Sequence, residues 1–220
     1  MSSKLFSVFL DLIFPPKCIF CREIALPGQS VCEKCSKEIL HASAIKCIYL
    51  PNSGETILCF APYPYTGKIR ESIIRFKFYG HNEYTGFYAE SLSAQIGKKF
   101  PQELFDSVTS VPISAERYQV RGYNQSELLG KAVAKCLGLP YREYLIKTHD
   151  NPEQHKLSEK DRRRNVRGVY RINEGEQAAG KRILLIDDIV TTGATLGECA
   201  SVLLDAGAKK VICAAAAHAL

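Results

Sequence analysis

The chain has 220 residues, of which 46% are hydrophobic, 24% charged and 10% aromatic, with a net charge of +6. That is a globular composition, long enough for one main domain plus a small module. The moderate positive excess permits an anionic ligand or nucleic acid and requires neither. Nine cysteines, an odd number, include CxxC pairs, and no signal-peptide pattern precedes them. Together these features argue against a disulfide framework and for metal ligation in a reducing cytoplasm.

Residues 4–14 are apolar at helical spacing (Leu5, Val8, Phe9, Leu12, Ile13) and end at Pro15-Pro16. The run is too short to span a bilayer, so it predicts a helix docked on the protein body rather than stable membrane insertion. Then come Cys18-x-x-Cys21 and, ten residues on, Cys32-x-x-Cys35. Four thiolates in two close pairs suit tetrahedral Zn²⁺, a closed and therefore structural site. A module this small gains its folding free energy from the metal. Cys47 and Cys59 lack partners at that spacing, and Cys136, Cys199 and Cys213 read as core thiols. Residues 43–57 read as a linker with a turn at Pro51-Asn52-Ser53-Gly54. The division is thus 1–57 for the N-terminal helix, metal module and linker, and 58–220 for the main domain.

In the main domain, strands are expected at 58–65, 105–111, 141–148, 169–172 and 209–217. Helices are expected at 68–77, 83–100 and 126–137. In the first helix Ile69, Ile73 and Ile74 would face inward, and Lys68, Arg70, Arg75 and Lys77 would form a solvated or ligand-facing basic face. Residues 112–125, PISAERYQVRGYNQ, read as a turn whose Arg117 and Arg121 could grip phosphate oxygens in pairs. Residues 149–168 are polar, lack periodicity and carry Arg162, Arg163 and Arg164, as in a binding loop. Residues 117–171 hold thirteen Lys/Arg against six Asp/Glu, so the positive charge is concentrated there.

The organising stretch is 183–195, ILLIDDIVTTGAT. Its apolar run reads as a buried parallel strand ending at Asp187 and Asp188. Thr191, Thr192, Gly193, Ala194 and Thr195 then open a helix over 196–206 that closes at Gly207. Hydroxyls, backbone N–H groups and a helix N-terminus make an anion cradle, and the two carboxylates suit ribose hydroxyls or the water shell of Mg²⁺. Alternating strands and helices imply a parallel sheet with right-handed crossovers, and such sheets bind ligands at this edge.

The strand, acid pair, two-residue spacer and Thr-Thr-Gly-x-Thr together resemble the PRPP-binding signature of type I phosphoribosyltransferases. The order of the cysteine pairs, VPISAERYQVRGYNQ, KLSEKDRRRNVRG and ILLIDDIVTTGAT is similar to that of the ComF family, over nearly the whole chain. The resemblance implies a type I phosphoribosyltransferase-like α/β fold, a parallel sheet flanked by helices, preceded by a small four-cysteine zinc module. It also implies PRPP as ligand, with Mg²⁺. Asp187 and Asp188 would then meet the ribose hydroxyls, and Thr191 to Thr195 the 5′-phosphate. Arg117, Arg121 and Arg162 to Arg164 would face the pyrophosphate. Thr191 stands where the 6-oxopurine enzymes place an aspartate base, and threonine cannot serve as one near neutral pH. Two functions follow. One is a phosphoribosyltransferase, linked to competence, with an unidentified acceptor. The other is a non-catalytic adaptor whose basic loop and zinc module bind single-stranded DNA or a DNA-uptake partner such as a competence helicase.

Overall fold

The structure is a computed structural model that describes residues 15–39, 43–101, 104–149 and 168–219. The expected helix at 4–14 and most of the 149–168 loop, Arg162 to Arg164 included, lie outside the described residues.

A six-residue helix, α1 (Glu33–Glu38), follows the cysteine pairs. The main sheet begins with β1 (Ala44–Tyr49), β2 (Thr56–Ala61) and the short β3 (Tyr63–Pro64). Helices α2 (Gly67–Phe78) and α3 (Tyr84–Lys99) lead to β4 (Ser107–Ser110). Next come α4 (Ala115–Arg121), α5 (Gln125–Leu137), β5 (Leu145–Lys147) and β6 (Tyr170–Ile172). The chain closes with β7 (Arg182–Val190), α6 (Ala194–Asp205) and β8 (Lys210–His218).

The sheet runs β1-β2-β8-β7-β4, with β3 also on β8. β2, β8, β7 and β4 are parallel, while β1 adds an antiparallel edge. The alternation of side chains along the strands divides the core into two layers. Leu184, Ile186, Ile212 and Ala214 pack toward α2, α3 and α5. Ile183, Leu185, Val211 and Cys213 pack toward α6 and the small antiparallel β5–β6 sheet. Cys18, Ile19, Phe20 and Cys35 of the cysteine module join the first layer, so the module shares the core of the main domain. Among the described residues, no helix is long and apolar enough to cross a membrane.

Several expectations change. Residues 43–57 are not a linker: they hold β1, a turn and the start of β2, and the backbone hydrogen bonds of β1 run to β2. The turn at 112–125 contains helix α4, which starts on Ser114, whose hydroxyl accepts from Arg117 N, and stops on left-handed Gly122. β7 does not end at the acids but runs through them to Val190, paired with β8 up to Val190 opposite His218. Cys136 is exposed, whereas Cys199 and Cys213 are buried as expected. On α2, Ile69 and Ile73 are buried, but Ile74 is only half-buried and Ser72 and Phe76 take the inner face.

Candidate sugar-phosphate site and metal module

The pairing of β4 with β7 ends at Ser110 opposite Ile186, with Val111 N donating to Ile186 O at 3.0 Å before the chain leaves the sheet at Pro112. Asp187 and Asp188 are the first residues of β7 past that limit. They leave the strand toward opposite faces. Both are nearly buried, at 9% and 5% exposure.

Each acid is held. Asp187 Oδ1 accepts from the Ser126 hydroxyl at 2.7 Å and from Asp188 N at 2.8 Å. Asp188 Oδ2 lies 2.7 Å from Lys77 Nζ. Burial first, and then the charge of Asp188, push the Asp187 pKa up to about 7, against the opposing pull of Lys77 and the Ser126 hydrogen bond. For Lys77, burial alone would lower the pKa, but the charge and hydrogen bond of Asp188 outweigh it and leave it raised. The basic face expected on α2 is thus corrected at two positions: Lys77 is the counter-ion of the acid pair, and Arg75 donates to Ile19 O and Phe20 O of the cysteine module.

Four consecutive residues fasten this corner. Tyr123 donates its hydroxyl to Phe76 O at 2.9 Å, and Asn124 Nδ2 donates to Val111 O at 3.0 Å. Gln125 Nε2 donates to Lys77 O at 2.7 Å, and Ser126 reaches Asp187. Asn124, Gln125 and Ser126 are buried. The turn after α4 therefore joins the end of α2, the end of β4 and the acids of β7. Sequence reasoning does not single out Tyr123, Gln125 or Ser126, and it gives Lys77 only as one of four basic residues on α2. The signal that could have found them is the unbroken polar run YNQS immediately before an amphipathic helix.

After β7 the chain turns through Thr191 and Thr192 into left-handed Gly193, which caps α6. Thr191 is exposed, while Thr192, Ala194 and Thr195 are half-buried. The first turn of α6 contains no acidic residue; the Thr192 hydroxyl accepts from Ala194 N at 3.4 Å, and the positive end of the helix dipole faces the turn. Ile48 of β1 lies against the other side. A Cβ on Gly193 would overlap Ile48 Cδ1, and one on Gly197 would overlap Tyr49 O. Both glycines therefore allow β1 to approach the helix start closely. Arg121, at the end of α4, stacks its guanidinium 4.9 Å from the Phe78 ring centroid, and its charge reaches Lys77. Arg117 sits in the same short helix, where its charge reaches Tyr170. Acids, threonine turn, α6 N-terminus and Arg121 thus cluster at the carboxyl edge of the parallel strands.

The cysteine module packs against α2, where Arg75 Nη2 donates to Ile19 O and Phe20 O. The Sγ atoms of Cys18, Cys21, Cys32 and Cys35 all lie within 4.8 Å of one another. Cys21 and Cys32 Sγ are 3.6 Å apart, far beyond a disulfide bond and close to the roughly 3.8 Å edge of a tetrahedron of four sulfurs with Zn–S of about 2.3 Å. The donor set and spacing fit structural zinc. Among the described residues it is the one such cluster. Cys47 is exposed on β1 and Cys59 buried on β2, one register apart, on opposite sides of the hairpin.

Residues 124–219 match the phosphoribosyl transferase domain family, and residues 9–55 match the double zinc ribbon domain family. A protein of Salmonella typhi named DNA utilization protein YhgH is 30% identical over 202 residues, covering 88% of this chain and 86% of that one. The competence protein ComFC of Streptococcus pneumoniae is 31% identical over 184 residues, covering 84% and 79%. Among solved structures, adenine phosphoribosyltransferase from Saccharomyces cerevisiae superposes with a TM-score of 0.42 at 16% identity, over 80% of this chain and 84% of that one. With a four-cysteine zinc ribbon joined to a phosphoribosyltransferase-type parallel sheet, and with relatives of this identity along most of its length, the chain belongs to the ComF family.

Proposed function

We propose that the carboxyl edge of β7 binds PRPP with Mg²⁺ and that the protein is a phosphoribosyltransferase with an acceptor outside the 6-oxopurine class. The observation that carries this reading is the buried pair Asp187–Asp188 leading through the threonine turn into the acid-free start of α6. In this reading Thr191 to Thr195 hold the 5′-phosphate through hydroxyl and backbone donors. Asp187 and Asp188 receive the ribose hydroxyls directly or through Mg²⁺-bound water, and Arg117 and Arg121 face the pyrophosphate. Arg162 to Arg164 would supply further cations from the loop outside the described residues.

Transfer breaks the bond between the anomeric carbon and pyrophosphate and forms one to the acceptor. Positive charge builds on the ring and negative charge on the leaving group. Carboxylates beside the ribose, buried where charge interactions are strengthened, oppose the first, and the half-buried arginines oppose the second. Mg²⁺ would neutralise pyrophosphate oxygens, and the acid pair is chemically suited to its water shell. Thr191 cannot act as a base, so the acceptor must arrive with its own nucleophile ready or use a base elsewhere.

The names of the relatives connect the family to competence and DNA use, and we place this protein in the same work inside the cytoplasm. An adaptor reading keeps a specific observation of its own. Phe78, 50% exposed, carries Arg121 on its ring, and Tyr79 next to it in the chain and Tyr118 on α4 are 71% and 50% exposed. Aromatic faces interleaved with arginine suit the stacked bases of single-stranded DNA.

Phosphorus NMR of PRPP with Mg²⁺, the zinc-loaded protein and a panel of nucleobases tests the enzymatic reading. Acceptor-dependent pyrophosphate release that disappears in Asp187→Asn supports it. PRPP binding without release from any acceptor, together with salt-sensitive single-stranded DNA binding, would leave the adaptor reading.

A further inference from the structure

Lys77 is a charged residue beside the acid pair to which the sugar-phosphate reading above gives no role. It sits in the last turn of α2, with a side chain 24% exposed and its ammonium 2.7 Å from Asp188 Oδ2. Its position is built rather than incidental. Gln125 holds its carbonyl, Tyr123 holds that of Phe76, and Gly80 N donates to the Tyr123 hydroxyl at 3.0 Å. The end of α2 is thereby locked to the turn carrying Asn124 and Ser126. Arg121 lies on the adjoining Phe78 ring, and its charge reaches Lys77, so two cations stand near each other on this side of the acid pair.

The ammonium is paired with an acid that the sugar-phosphate reading assigns to ribose hydroxyls. A ligand carrying sugar hydroxyls and an anionic group resolves that conflict. Its hydroxyls can satisfy Asp188 while its anion takes the ammonium, whose four-carbon stem swings without any backbone movement. We propose that Lys77 is an anion-binding residue of this site, parked on Asp188 until a diphosphate-bearing sugar arrives and then transferred to the diphosphate. The inference rests on the sugar-phosphate reading above and deepens it. It makes recognition of the sugar and of the diphosphate one coupled event, because a ligand lacking either part leaves a buried charge unmatched.

The test is calorimetry on zinc-loaded protein with PRPP plus Mg²⁺, with inorganic pyrophosphate plus Mg²⁺, and with ribose 5-phosphate. Lys77→Met should weaken PRPP and pyrophosphate at least about tenfold and leave ribose 5-phosphate within about threefold, since Asp188 is then open to hydroxyls. The double variant Lys77→Met/Asp188→Asn, which removes both members of the ion pair, guards against misfolding and should still bind pyrophosphate weakly. Wild-type affinity for pyrophosphate in either variant would overturn the proposal, as would an equal loss for pyrophosphate and ribose 5-phosphate. If the wild-type protein binds PRPP and Lys77→Met binds it equally well, this inference alone fails. If the wild-type protein binds none of the three, the sugar-phosphate reading fails and takes the inference with it.

Discussion

The hydroxyl of Ser126, in the first turn of α5, donates to Asp187 Oδ1 of β7 at 2.7 Å, and neither group is more than 9% exposed. A hydrogen bond to the ionised carboxyl favours that form. Ser126→Ala should keep α5 intact, because Asn124 remains its cap, and should raise the Asp187 pKa further. PRPP binding near pH 7 should then weaken by roughly three- to thirtyfold, with the loss shrinking at higher pH as Asp187 ionises. Calorimetric titrations at about pH 7 and about pH 8.5 check this. An equal loss at both would mean that the bond orients Asp187 without tuning it.

Asp187 also gives the protein a stability slope. Its folded-state pKa is about 7, raised by burial and by Asp188, against an unfolded value of about 3.9. The folded state therefore holds the extra proton between those values. The contribution is fully present below the unfolded value, is lost as pH rises through about 7, and is flat beyond. From pH 6 to pH 8 the wild-type protein should lose about 1 kcal/mol, and Asp187→Asn should abolish that part of the slope. Denaturant midpoints at the two pH values measure it.

The zinc module should be thermodynamically joined to the main domain. Arg75 Nη2 donates to Ile19 O at 2.8 Å and Phe20 O at 2.9 Å, both inside the first CxxC turn, and Arg22 donates to the Tyr84 hydroxyl at 2.7 Å. Removing the metal with a chelator should lower the melting temperature of the whole protein, not release a separately melting module. Arg75→Ala should cost about 2–3 kcal/mol while retaining one zinc per chain, as read by calorimetry and metal analysis. Unchanged melting of the main domain after chelation would contradict the shared core.

Gly193 is constrained twice, by its φ of 77° and by Ile48 packed where a Cβ would stand. Gly193→Ala should destabilise by roughly 2–4 kcal/mol. Adding Ile48→Ala should relieve the overlap but not the backbone strain, so the pair should be less damaging than the sum of the single changes. Chemical denaturation of the three variants gives the comparison.

Much of this is visible in the residues because the period of the pattern and the spacing of the ligands are local properties. ILLI announces a buried strand, Cys18-x-x-Cys21 and Cys32-x-x-Cys35 announce a metal site, and Gly138 marks the end of α5. What escapes is long-range. Residues 43–57 carry a mixed pattern that reads as a linker, and only pairing with β2 makes Ala44–Tyr49 an edge strand that reaches Gly193. Lys77 looks like any solvated lysine at a helix end until Asp188, more than a hundred residues later, is brought beside it. The acids read as the end of their strand because charge usually marks an edge. They stay within it because β8 pairs along its length, while the pairing with β4 ends at Ile186.

The central claim is that the acid pair and the threonine turn form one sugar-phosphate site. Titration of zinc-loaded protein with PRPP and Mg²⁺, alongside Asp187→Asn, is its most direct measurement. The account predicts saturable heat at one site per chain, lost or weakened at least about a hundredfold in the variant. No heat from well-folded wild-type protein, or equal affinity in Asp187→Asn, would contradict it.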